Sequence, residues 1–239
     1  MIDRSVDFVQ FPVFSVTVHA SGRDIRFALD DPMDEIQRVL VGGSFYEHDQ
    51  LEVHRGLIPR HGRVLDLGAN VGNHAVFYAA VCEAELVVAV EPARRAWRLL
   101  KKTVKDNALC AIELHTGVAA GAGSGWALID ARESYAHNLG GTSVKIITET
   151  APGAIPVQTG DDILAGRSVD FVKIDVEGSE MQALTGLQRT VDVCRPVVAV
   201  EVAPVCRDDF TEWCANNRYR IERSFQMYRG IWTYVCLPL

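Results

Sequence analysis

Three short stretches carry polar residues where a buried strand would otherwise run on. In Val64-Leu65-Asp66-Leu67-Gly68-Ala69-Asn70-Val71-Gly72-Asn73, an acidic residue and a glycine loop interrupt an apolar run. Glycines let the backbone turn tightly and approach a ligand, and a helix starting there offers unpaired N–H groups and a partial positive charge to an anion. Glu91 closes the run from Leu86 to Val90 and lies 23 residues after Gly68. At that place a carboxylate can accept hydrogen bonds from both ribose hydroxyls of an adenosine-containing ligand. The third stretch, Val172-Lys173-Ile174-Asp175-Val176-Glu177-Gly178-Ser179-Glu180, puts Asp175 at the carboxyl end of a strand, where open α/β sheets gather their ligands. Glu201 breaks the run Val198 to Val202, and a carboxylate in a buried strand must be paired or functional because burying it alone is costly.

What the glycine loop lacks narrows the ligand. A nicotinamide site reads G-x-G-x-x-G, with the second glycine making room for a pyrophosphate, whereas Asn70 stands there. No Walker A lysine follows. Asp66 repels phosphates but suits an ammonium group. An amino acid joined to adenosine, S-adenosylmethionine, satisfies both: its carboxylate at the helix start, its amine near Asp66, its ribose on Glu91. The cofactor candidates are Glu47, Asp66, Gly68, Ala69, Asn70, Gly72, Asn73, Glu91, Pro92, Val118 and Asp175. Gly68 and Gly72 also fit a plain strand-to-helix turn, and Asp175 a helix N-cap completed by Glu180. The base candidates are Asp175, His137 and Glu201. His74 follows the cofactor loop and His115 lies within a strand; a lone histidine is more often structural.

The elements that must position these groups follow from periodicity. Val13 to Val18 and Ile25 to Leu29 alternate about a Ser21-Gly22 turn, and Asp34 to Val41 and Glu47 to Leu57 are helical. From Arg63 short β-branched runs alternate with helical stretches, the pattern of a mostly parallel sheet covered on both faces. Strands fall at Val64 to Leu67, Leu86 to Val90, Ile112 to Val118, Val169 to Ile174 and Val197 to Val202, with a closing strand pair at Tyr219 to Arg223 and Ile231 to Val235. Helices fall at Asn73 to Val81, Ala93 to Asn107, Glu180 to Val191 and Asp208 to Asn216. The glycine-bearing section Ala119 to Ser168 has strand-like runs only at Trp126 to Ile129 and Val144 to Ile147, so it is expected to be mostly loop and to recognise the acceptor, together with the cap around Tyr46 and Glu47. The organisation is an N-terminal cap over 1–62, part of the same domain, and a cofactor-binding core over 63–239.

Composition agrees with a soluble globular protein. The chain has 239 residues, 48% hydrophobic and 23% charged, which disfavours disordered and coiled-coil classes. A net charge of -7 has the wrong sign for neutralising phosphates, so no nucleic-acid partner is expected. Apolar runs such as Ala75 to Cys82 are far shorter than a membrane span, and no signal-peptide pattern opens the chain, so no membrane partner and a cytoplasmic location are expected. The six cysteines form no C-x-x-C pair and are expected to be reduced. The basic residues Arg94, Arg95, Arg98, Lys101, Lys102 and Lys105 recur at helical spacing as a solvated face.

The blocks Asp66 to Asn73, Ala89 to Pro92 and Val172 to Glu180 resemble the FkbM family of S-adenosylmethionine-dependent methyltransferases, over roughly Tyr46 to Glu201. Thr159-Gly160-Asp161-Asp162 is similar to the family's T-L-D-D, with Gly160 in place of leucine, a departure that concerns packing rather than chemistry. The resemblance implies the class I methyltransferase (Rossmann-like) α/β fold, seven strands with the last antiparallel, and methylation of hydroxyls on small molecules, sugars and secondary metabolites. It also implies no obligatory metal, although Asp175, Glu177 and Glu201 are oxygen donors of the kind magnesium takes. The expected partners are a small-molecule or glycan acceptor and, in assembly, a second copy in a homodimer. The rival readings are an N-methyltransferase, a non-catalytic S-adenosylmethionine-binding protein, and, as an outsider, an NAD-dependent dehydrogenase.

Overall fold

A computed structural model of the chain describes residues 12–130, 137–228 and 230–239. Its centre is a seven-stranded sheet. Five parallel strands, β3 (Arg63–Leu67), β4 (Leu86–Glu91), β5 (Ile112–Thr116), β10 (Phe171–Ile174) and β11 (Val197–Val202), are joined by β12 (Tyr219–Tyr228) and β13 (Ile231–Pro238) in the order β12-β13-β11-β10-β3-β4-β5. β13 pairs antiparallel with both β11 and β12, which makes it the one reversed strand. Because side chains alternate along a strand, each strand feeds two cores. Val64, Val87, Phe171, Ala199 and Val235 pack on one face and Leu65, Val88, Val172, Val198 and Cys236 on the other.

The first face is covered by α2 (His48–Leu57), α3 (Asn73–Ala80) and α4 (Arg94–Asp106), the second by α5 (Gly160–Leu164), α6 (Glu180–Thr185), α7 (Gln188–Cys194) and α8 (Arg207–Asn216). Counting in twos from the first-face residues assigns Asp66, Glu91, Lys173, Glu201 and Thr233 to that same face. The registers agree: Lys173 stands opposite Asp66 and Ala199, and Glu201 opposite Thr233. One face of one sheet therefore collects the polar interruptions of separate strands.

The cap opens with β1 (Phe14–Ala20) and β2 (Arg23–Leu29), paired antiparallel about Ser21 and Gly22, which both take left-handed backbone, the geometry of a two-residue hairpin turn. α1 (Glu35–Val41) is capped by the Asp34 side chain, which accepts from the Ile36 and Gln37 amides. Arg95 leaves the basic face expected of its helix: its guanidinium grips Asp30 at 2.8 Å and reaches Asp31 at 3.4 Å. Among the described residues no helix is long and apolar enough to cross a membrane.

Two expectations are corrected. The section expected to be mostly loop carries a second sheet of β6 (Ala119–Ala120), β7 (Gly125–Asp130), β8 (Ser143–Ile147) and β9 (Ile155–Gln158), in the order β6-β9-β7-β8; residues 131–136 within it lie outside the described residues. β6 and β9 are too short to show a period and depend on pairing with each other. The helix expected over Glu180 to Val191 is two helices, parted at Gly186 and Leu187; only glycine fits at the first of these, since a Cβ on Gly186 would lie 2.1 Å from the carbonyl oxygen of Gly121, just after β6. Leu187 fills the space left by Gly160, where a Cβ would lie 2.4 Å from Leu187 Cδ2.

Candidate active site

The glycine loop is shaped more by its own packing than by room for a ligand. Gly68 takes φ 82°, and a Cβ on it would lie 1.7 Å from the Asp175 carbonyl oxygen, so β3 and β10 touch there through backbone. Gly72, at φ 96°, makes room for Leu100 of α4. The amides of Gly68 and Ala69 both donate to the Val90 carbonyl at 3.0 Å. The Asn70 amide donates to Glu91 Oε2 at 2.8 Å, and the Ala93 amide to Glu91 Oε1 at 2.7 Å. Glu91 is thus clamped by backbone on both sides. Burial pushes its carboxyl up to about 7 against the pull of those two amides. Each carboxylate oxygen still has a further acceptor site.

A cavity of about 370 Å³ opens at the carboxyl ends of β3, β4, β10 and β11. Of the cofactor candidates, Gly68, Ala69, Asn70 and Asn73 form its loop side, Glu91 and Pro92 one end, and Glu47 and Asp175 the floor. Asp66, Gly72 and Val118 are not on its wall; Ala119 and Ala120 take the place expected for Val118. Asp66 is wholly buried beside Lys173, whose Nζ lies 3.5 Å from Asp66 Oδ1, 3.2 Å from Asp175 Oδ2 and 3.0 Å from the Gly68 carbonyl oxygen. An ammonium group already inside the protein therefore stands where the sequence suggested one from a ligand. Burial alone would depress the Lys173 ammonium, but Asp175, Asp66 and Glu47 outweigh it and hold the group protonated. Both Asp66 oxygens lack a hydrogen-bond partner among the described residues, so that carboxylate depends on the nearby charge rather than on hydrogen-bond geometry.

The floor is acidic. Asp175, Glu177 and Glu201 each present an oxygen within 4.8 Å of the others, a spacing at which one cation could reach all three. Burial pushes the Glu201 carboxyl up to about 9, with the charges of Asp175, Glu177 and Glu47 adding to the effect. Beside them His74 Nε2 meets Glu47 Oε2 at 3.0 Å. His115 instead faces Glu113 at 2.7 Å, part of an ion-pair group with Arg167.

His137, the remaining base candidate, stands off the cavity wall. Its imidazole is half exposed, and Nδ1 lies 2.8 Å from Asp31 Oδ2 rather than on the cavity wall. Backbone at φ 60° turns the chain there, and the residues that follow, Asn138 to Thr142, form the wall instead. The segment is latched to the cap: the Leu139 amide donates to Asp34 Oδ2 at 2.7 Å and the Glu35 amide to the His137 carbonyl at 3.2 Å. The sequence did not single out Lys173 as a site residue, and it placed Asn138 to Thr142 only within the Ala119 to Ser168 section expected to recognise the acceptor. The apolar run around Lys173 was a usable signal, since a lone lysine in a buried strand needs partners; the latch joins residues about a hundred positions apart and has no local signal.

A family model described as a methyltransferase FkbM domain matches residues 66–230. No functionally curated protein matches the sequence. Among solved structures, the chain is similar to a methyltransferase FkbM from Methylobacillus flagellatus KT, with 20% identity and a TM-score of 0.53 over 77% of this chain and 50% of that one. The chain thus spans about half the length of that protein. It is also similar to precorrin-6y C5,15-methyltransferase from Geobacter metallireducens GS-15, with 10% identity and a TM-score of 0.51 over 82% and 91% of the two chains. Trm5b from Pyrococcus abyssi shows 14% identity and a TM-score of 0.51 over 93% and 55%. At these identities the likeness is one of fold, the class I methyltransferase, Rossmann-like sheet.

Proposed function

Since the chain belongs to the FkbM methyltransferase domain family, we propose that it uses S-adenosylmethionine to methylate a hydroxyl on a small-molecule or glycan acceptor. The observation that carries this reading is the pairing of two ends in one cavity: Glu91, held rigid by the Asn70 and Ala93 amides, and the carboxylate floor of Asp175 and Glu201. A clamped carboxylate with acceptor sites left over suits a ribose diol, and a volume of about 370 Å³ suits a nucleoside-sized ligand.

Bound S-adenosylmethionine supplies a methyl group on a positively charged sulfur, which departs without a proton donor. What remains for the protein is to place the acceptor in line and to remove its hydroxyl proton. Asp175, oriented by Lys173 and facing the cavity, accepts that proton. Glu201, which holds a proton near neutral pH, donates a hydrogen bond to the acceptor and so fixes which oxygen faces the methyl group. Tyr46, Val144, Ile231 and Asn138 to Thr142 supply the wall against which the acceptor rests. The two carboxylates thus divide the work because their surroundings differ.

The acidic floor also favours a second reading, an amine acceptor, whose ammonium would be drawn to Asp175, Glu177 and Glu201. Calorimetric titration with S-adenosylmethionine, its demethylated product and NAD, followed by transfer of radiolabelled methyl to panels of alcohols and amines, tests the proposal. Binding of the first two ligands and label on an alcohol are the expected results. Binding of NAD alone would overturn it, and label on an amine would select the second reading.

A further inference from the structure

Under the acidic floor lies a second, far smaller cavity, walled by Gln50 and His54 of α2, His74 of α3, and Lys173, Glu201 and Thr233 of the sheet. Its volume of about 10 Å³ is at the lower limit for one water molecule. His54 is the least satisfied group on its wall. The ring is 1% exposed, leans on Phe171 at 4.9 Å between centroids, and places Nδ1 2.9 Å from the Tyr78 hydroxyl. Burial holds the Tyr78 phenol protonated, and burial with the nearby His74 and Lys173 holds the imidazole neutral. Nδ1 is the phenol's one hydrogen-bond partner among the described residues, so giving the phenol's hydrogen to Nδ1 satisfies it and leaves the imidazole's own hydrogen on Nε2. That Nε2 has no hydrogen-bond partner among the described residues, a state native proteins seldom leave unresolved.

We propose that the small cavity binds one water that accepts from His54 Nε2–H and donates to Glu201, making His54 a positioning residue for that carboxylate. Three carboxylates reach this cavity. Glu47 is engaged by His74 at 3.0 Å and Asp175 by Lys173 at 3.2 Å, whereas Glu201 makes no hydrogen bond among the described residues. Thr233 stands directly opposite Glu201 in the β11–β13 register and adds a hydroxyl to the same cavity, which brings the water to the three partners typical of buried waters. One Glu201 oxygen is then held from below and the other is left for the larger cavity. The charges facing Glu201 are those of Asp175, Glu177, Glu47 and Lys173, with His74 beside them, and the water adds a donor that favours the carboxylate form.

The proposal rests on the reading of Glu201 as part of the acceptor site, but its test needs no acceptor. In the full chain, ¹⁵N-histidine NMR should show His54 as the neutral Nε2–H tautomer from about pH 5 to about pH 9, and Tyr78→Phe, which takes away the phenol donor, should release population into the Nδ1–H form. Carboxyl-¹³C-glutamate NMR, with the Glu201 signal identified by its loss in Glu201→Gln, should show the Glu201 midpoint rising by about one pH unit in His54→Phe, a tenfold change in proton affinity, and returning toward wild type in His54→Gln. A His54 ring that titrates near its ordinary pH, a wild-type Nδ1–H tautomer, or a Glu201 midpoint that moves by less than about 0.3 unit in His54→Phe would overturn it. Should His54→Phe not fold, the tautomer in wild type and Tyr78→Phe and the midpoint in His54→Gln decide the matter alone. Calorimetry with S-adenosylhomocysteine on the same samples separates the two readings: absent binding with the coupling intact removes the methyltransferase reading and leaves the water site standing.

Discussion

The two ends of the large cavity are each built around a carboxylate on the same sheet face, yet they are held differently. Glu91 sits at the end of β4 with a backbone amide on each oxygen, one from the Asn70 loop after β3 and one from the Ala93 turn that follows it. Among the described residues Glu201, near the end of β11, has no such clamp, and its surroundings are the charged side chains of Asp175, Glu177, Glu47 and Lys173. Burial raises both, Glu91 to about 7 and Glu201 to about 9. A carboxylate fixed by backbone is a binding fixture; one set by surrounding charges responds to whatever enters the cavity. On the proposed reading, the end assigned to adenosine is thereby rigid and the end assigned to the reaction adjustable.

The sharpest way to break this division is Asp175→Asn. Turnover should fall by about 100 to 10,000-fold, the usual contribution of a proton acceptor, while affinity for S-adenosylmethionine measured by calorimetry changes by less than about threefold. An equal loss in affinity would show that the two ends are not separate. Glu91→Ala should do the opposite, weakening S-adenosylhomocysteine binding by roughly 1.5–3 kcal/mol because a buried carboxylate that accepts several hydrogen bonds is lost. Unchanged affinity would remove Glu91 from the cofactor site.

Glu201→Gln tests the adjustable end through stability. The native Glu201 carboxyl keeps its proton up to about pH 9, whereas the unfolded chain releases it near the ordinary value of 4.5. Between those values the native state binds more protons than the unfolded state, so stability falls as pH rises across that window. Glu201→Gln should therefore melt higher than wild type near pH 8, by roughly 1–3 kcal/mol of stability, and lose most of that advantage below about pH 4.5. Equal melting of the two proteins at both pH values would show that Glu201 is not held protonated.

The smallest expected effect belongs to the latch. The imidazole of His137 is half exposed, and its pairing with Asp31 should contribute less than about 1 kcal/mol, so His137→Gln should leave turnover within about threefold and raise the acceptor KM slightly. A hundredfold loss of turnover would return His137 to the list of bases.

The sequence by itself determined the local grammar of this protein. Alternation between apolar and polar residues marked the core strands, because a strand buried on both faces must be apolar at nearly every position and any exception stands out. That is why Glu91, Asp175 and Glu201 could be picked out from spacing. Left-handed positions such as Gly68 and Gly72 were equally visible, though as turns without their neighbours: only the fold shows one touching the Asp175 carbonyl and the other Leu100. Tertiary structure decided everything that depends on which strand lies beside which. Asp66 meets Lys173 across two strands 107 positions apart, so the charge beside Asp66 is a lysine of this chain. His137 meets Asp31 106 positions away, a contact that its own neighbours in sequence give no sign of. The second sheet assembled from runs as short as Ala119–Ala120, which carry no period of their own. A side chain's period along its own strand is a local property written in sequence, whereas strand order and register are settled by the packing of the whole chain, and it is register that brings distant carboxylates onto one face.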